Sequence, residues 1–115
     1  MITPLEQLVG QRVTMSGIVQ DYAQVIFENA GLTIYNDYTV NGSKTLAELS
    51  GLGLASVSEN DDEVHLTFED GTAIGVDLRS AAYHCPEAMV LHREGQPIIV
   101  WNRNRIHETR DSPFE

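Results

Sequence analysis

A chain of 115 residues with 42% apolar side chains can build one hydrophobic core but not two, and this composition excludes an unfolded polar tract. The formal charge of −10 excludes the cationic stripe that tracking of nucleic-acid phosphates requires. No apolar run reaches the roughly 18 residues of a membrane helix, the opening Met1 to Gln7 lacks a signal peptide's basic start and apolar stretch, and the lone Cys85 cannot close an internal disulfide; a cytoplasmic protein without nucleic-acid or membrane partners is expected.

Thr3 to Gly10 has the marks of a short helix, with Thr3 as cap, Pro4 in the first turn, Glu6 at the third position and Gly10 as stop. Leu5, Leu8 and Val9 fall on one side of it. Arg12 to Val19 follows as a strand, with a bulge or bend at Gly17. After a turn at Asp21-Tyr22, Ala23, Val25 and Phe27 alternate with Gln24 and Ile26, and a second turn at Glu28 to Gly31 leads into Leu32 to Tyr35. Asn36 to Gly42 is rich in turn formers and is expected to be a loop. Ser43 then caps a second predicted helix, Lys44 to Ser50, with Leu46 and Leu49 toward the core.

Leu52 to Ser58 begins a second set of strands, followed by a turn at Glu59 to Glu63 whose four acidic side chains place it outermost. The clearest element of the chain comes next. Val64, Leu66 and Phe68 alternate with His65 and Thr67, Glu69 to Thr72 supplies a turn, and Ile74, Val76 and Leu78 alternate again, which defines a hairpin with one apolar face. A last hairpin pairs Met89 to His92 with Pro97 to Trp101, and Pro97 must start its strand or lie at an edge because it has no N–H. Beyond Trp101 the periodicity is lost and a polar tail is expected over 102–115.

The parts recur at a spacing of 41 residues, which separates Gly10 from Gly51, Val13 from Leu54, Val25 from Leu66, Phe27 from Phe68 and Glu28 from Glu69. The pattern predicts an internal repeat of a three-stranded meander, over 8–36 and 49–78. The expected fold is a single mainly β domain, residues 1–101, in which two meanders, a closing hairpin and two short helices form a barrel-like or two-layer antiparallel sheet.

Few residues point to chemistry. His84, Cys85 and Glu87 carry metal-ligating groups that His65, His92 or Asp77 could join, but His84 and Cys85 are adjacent and rarely share one tetrahedral ion. Adjacent residues of an extended segment also face opposite ways, so His84 is poorly placed to activate Cys85, and His65 or His92 would have to reach it through the fold. No standard catalytic motif is present, and no cofactor is expected. Asp21-Tyr22 and Asp37-Tyr38 lie near strand ends and, with Tyr35 and Trp101, form a candidate partner-binding surface. Ile26 and Ile99 fall on outer faces by alternation, and a second copy of the chain is one way to cover them, hence an expected homodimer. Residues 1–92 hold three basic side chains against thirteen acidic ones, a balance that steers toward a basic protein partner.

The blocks L-x-G-x-x-V near the start, V-x-F-E-N-A-G-L-T-I-Y-N, V-x-L-x-F-E-D-G-T, P-E-A-M-V-L and P-I-I-V-W resemble those of a group of small bacterial β proteins without assigned activity. The likeness spans most of Leu8 to Trp101 and rests on turn glycines and strand apolars, so it implies a β fold and carries no catalytic residue across. By type, small acidic β proteins of this kind resemble immunity proteins that block toxin domains. The expected function is therefore a non-enzymatic protein-binding or immunity-type interaction module, with a small-molecule or metal-dependent activity centred on residues 83–87 as the alternative.

Overall fold

The computed structural model describes residues 3–79 and 87–102, with side chains as far as Trp101, and the backbone of 108–110. Ten strands run in chain order: β1 Val13–Val19, β2 Tyr22–Phe27, β3 Ala30–Ile34, β4 Tyr38–Asn41, β5 Leu54–Glu59, β6 Glu63–Phe68, β7 Ala73–Asp77, β8 Glu87–Arg93, β9 Ile98–Asn102 and β10 Glu108–Arg110. They form two open antiparallel sheets, ordered β1-β2-β3-β8-β9-β10 and β4-β7-β6-β5. The barrel alternative is thereby replaced by two sheets, which meet near β1 and β5, where Arg12 and Gly53 form an isolated bridge. No helix among the described residues is long and apolar enough to cross a membrane.

Period-two alternation dictates the inner faces. Ala23, Val25 and Phe27 of β2, with Leu32 and Ile34 of β3, meet Val64, Leu66 and Phe68 of β6 and Ile74 and Val76 of β7 in one buried cluster. Complete burial of each of these valine, leucine, isoleucine and phenylalanine side chains is worth about 1.5–3 kcal/mol. Strand β8 reads differently, because Ala88, Met89, Val90 and Leu91 are all buried. A run without alternation means a strand covered on both faces. Here Met89 and Leu91 enter the main core, while Val90 lies opposite Thr33 and Val100 in a second buried row on the other side.

The two predicted helices are single 3-10 turns, Glu6–Leu8 and Leu46–Glu48. Their start signals do operate. Thr3 and Glu6 bond reciprocally, and so do Thr45 and Glu48, which replaces the expected cap at Ser43. Extension then stops within a turn, because Gly10 and Gly51 take φ of 98° and 93° and send the chain into β1 and toward β5. Leu5, Leu8, Leu46 and Leu49 are nevertheless buried, so each turn plugs the core.

Three further expectations change. Tyr38–Asn41 is strand β4, since its N–H and C=O groups find partners on β7 even though its residue types favour a turn. Glu108–Arg110 pairs with β9 beyond the point where apolar periodicity ends. Ile99 lies opposite Leu91 and faces the core, so it is Ile98 and Val100 that take the outer positions.

The two meanders present the same hydrogen bonds at the same spacing. Gly10 N–H donates to Leu54 O and Gly51 N–H to Val13 O, while Val13 N–H donates to Leu52 O and Leu54 N–H to Gln11 O. Both first strands carry a register shift at the equivalent step, Val13/Met15 and Leu54/Ser56. Both also place a glutamate on an equivalent backbone donor, Glu28 on the Arg12 N–H and Glu69 on the Gly53 N–H.

Candidate functional site

The outer face of the four-stranded sheet contains a cleft of about 390 Å³ between β4, β6, β7 and the turns beside them. Its floor follows from the register. Thr39, Gly75 and His65 occupy one cross-strand row, and Gly75 offers no side chain, so the row is low in the middle. A Cβ at Gly75 would stand 3.1 Å from His65 Cε1 and 3.2 Å from Thr39 Oγ1, so the two side chains flank the space that glycine leaves.

The rim is acidic. Glu63 and Asp77 are directly opposed on β6 and β7, an arrangement of like charges that ordinarily destabilises a sheet. Each has a local answer. The Arg79 guanidinium grips both Asp77 oxygens, Nε to Oδ1 at 3.0 Å and Nη2 to Oδ2 at 2.9 Å, and the Arg79 backbone N–H adds a third bond. These bonds hold the Asp77 carboxyl below the usual carboxylate range and push Arg79 up. Glu63 Oε2 lies 3.1 Å from His65 Nε2, an ion pair whenever the imidazole is protonated. Backbone bonds from Asp77 N–H to Asp37 O and from Leu78 N–H to Asp62 O bring two more carboxylates to the rim.

The expected surface residues separate into three places. Asp37 and Tyr38 line this cleft. Asp21 is exposed in the β1–β2 turn, and the adjacent Tyr22 packs on Tyr35 with ring centroids 5.2 Å apart. Trp101 is 1% exposed and belongs to the core, where its indole N–H donates to Glu59 Oε2 at 3.0 Å and ties β9 to β5. Of the alternative set, His84 and Cys85 lie outside the described residues, and Glu87 begins β8 opposite Asn102. Among the described residues, no three histidine, cysteine, aspartate or glutamate side chains converge in a way that could hold a metal ion.

The sequence reading joins His65 and Asp77 only to the His84, Cys85 and Glu87 set and does not gather them with Gly75 and Arg79. A signal did exist. At the repeat spacing Gln24 answers His65 and Tyr22 answers Glu63; past the turn, where the register slips by one, Tyr35 answers Asp77 and Thr33 answers Gly75. The acidic cleft thus occupies the position that the Tyr22–Tyr35 pair fills in the first meander. Comparison of the chain with protein-family models, with curated proteins and with solved structures finds no match in any of the three.

Proposed function

We propose that this protein is a non-enzymatic binding module that receives a basic segment of a partner protein on the acidic cleft of the four-stranded sheet. An immunity-type role, in which the partner is a basic toxin domain, is its most concrete form. The observation that carries the reading is the directly opposed pair Glu63 and Asp77. A sheet of this geometry does not need them, since the corresponding positions of the first meander hold Tyr22 and Tyr35. On this proposal residues 8–36 and 49–78 are a duplicated meander whose two copies have diverged in surface chemistry, which their matched hydrogen bonds support. The proposed protein acts in the cytoplasm as a homodimer.

Co-expression with the products of neighbouring genes, followed by pull-down at low ionic strength, tests the reading. A captured partner that is released by salt, and that is not captured by the Asp62→Asn, Glu63→Gln double variant, supports it. Recovery of no partner at low salt overturns it.

A further inference from the structure

We propose that strand β1 and the adjoining face of β2 form the contact between two copies of this chain. The inference rests on the homodimer reading above and assigns its surface.

Met15 and Ile18 are 60% and 66% exposed, and Val19 is 40% exposed. Met15 shares a row with Ile26 on the outer face, where a shallow groove runs between Met15, Gly17, Val19, Gln24 and Ile26, while Ile18 lies opposite the buried Ala23 on the other side of the pleat, so apolar side chains flank the β1 edge on both faces. β1 is an edge strand, paired on one side by β2. Its start is occupied on the other side, by the bonds of Val13 to Gly51 and Leu52 and by Ser50 Oγ–H on the Thr14 carbonyl. Beyond Ser16, no strand among the described residues pairs with that side. Edge strands are ordinarily protected by a lysine, a proline or an inward charge. Val13–Val19 contains none of these, and its bulge, at the Val13/Met15 step, leaves Met15 to Val19 in unbroken register with β2.

The second meander is an internal control. The positions corresponding to Met15, Ile18 and Val19 are Ser56 and Glu59, on a strand with the same register shift and the same hydrogen bonds to its opposite number, and Asn60 just past its end. The fold is therefore built equally well with polar residues there, and the apolar choice on β1 answers a need outside the fold. Charge identifies the occupant. Strands β1, β2 and β3 carry no charged side chain, in a molecule of net charge −10 whose carboxylates crowd the other sheet and the turns. A basic partner finds no carboxylate on these strands to pair with. Two copies of a strongly acidic chain repel wherever their charged faces meet, and this neutral edge, apolar on both sides of the strand, is where they approach at least cost.

Sedimentation equilibrium of the full chain, with Ile18→Glu, Met15→Glu and, as the matched control, Ser56→Glu, tests the assignment. The expected result is a dimer for the parent chain and for Ser56→Glu, and a dissociation constant raised at least roughly tenfold for Ile18→Glu and Met15→Glu, with circular dichroism unchanged and with the unfolding midpoint unchanged at concentrations low enough for the parent chain to be monomeric too. A parent chain that is monomeric overturns both the dimer and this surface, including the case in which β1 instead holds lipid or a foreign chain. A dimer that persists unchanged in both β1 variants overturns the surface alone.

Discussion

Val13 and Leu54 sit in matched positions across the junction of the two sheets: each donates its N–H to the carbonyl two residues before the other, and each accepts from the glycine three residues before the other. Both side chains are buried, at 2% and 1% exposure. The four bonds span 2.8–3.0 Å and fasten β1 to the start of β5, where the sheets would otherwise part.

Phe27 and Phe68 lie opposite Val13 and Leu54 in their own sheets and are nearly inaccessible. Truncation of either to alanine should cost about 3–5 kcal/mol, since transfer and cavity contributions add. Urea unfolding of Phe27→Ala and Phe68→Ala should give losses of similar size. A clearly milder loss at Phe27 would count against equivalence of the meanders.

Trp101 separates packing from hydrogen bonding. Trp101→Phe keeps an aromatic ring but removes the indole N–H that Glu59 accepts, and should cost more than Glu59→Gln, which retains a carbonyl acceptor. Trp101→Ala should cost about 3–5 kcal/mol. Equal and small effects for all three variants in denaturant titrations would contradict the burial of the indole.

Acid should weaken the fold through Asp77. Its bonds to Arg79 lower its pKa below the ordinary 3.8, so in this range the unfolded chain binds the proton more readily than the folded one. The stabilisation is complete well above pH 3.8 and is lost as pH falls through the lower folded value. Asp70 and Glu48, whose carboxylates accept backbone N–H groups of Thr72 and Thr45, act in the same direction. Between neutral pH and pH 3, the urea midpoint of Asp77→Asn should fall less than that of the parent chain. Parallel curves would remove the Asp77 to Arg79 pair as a source of stability.

Two glycines with positive φ should respond unequally to alanine. Gly71, at φ 91°, turns the β6–β7 hairpin in open space, so Gly71→Ala adds only the cost of left-handed backbone, about 1–2 kcal/mol. Gly42, at φ 129°, would bring a new Cβ to 2.6 Å from Thr72 Cα, a backbone atom that cannot swing away. Gly42→Ala should therefore be the more damaging, and thermal unfolding of the pair measures the difference.

The β character of the chain, the Val64 to Leu78 hairpin and its buried Val64, Leu66, Phe68, Ile74 and Val76 were legible because alternation is local: each residue's face follows from its neighbours along the strand. The turn chemistry of Asp70-Gly71 was legible for the same reason, with Asp70 Oδ1 accepting the Thr72 N–H. Helix starts were legible at Thr3 and Glu6, but their length was not, because two capping bonds do not say whether later residues gain more from a helix or from the bridge between sheets. What the tertiary structure alone decided is which strands became neighbours. Pairing of β3 with β8, and of β4 with β7, joins segments far apart in the chain, and their hydrogen bonds leave no periodic trace in the residues that make them. The same pairing assembled the cleft, since Thr39, His65 and Gly75 meet only through register across three strands. It also put Trp101 in the core, where its N–H finds a carboxylate of the opposite sheet. Side-chain chemistry is written in the order of residues, but a site is written in the distances between them, and those distances follow from the packing of two sheets around one core.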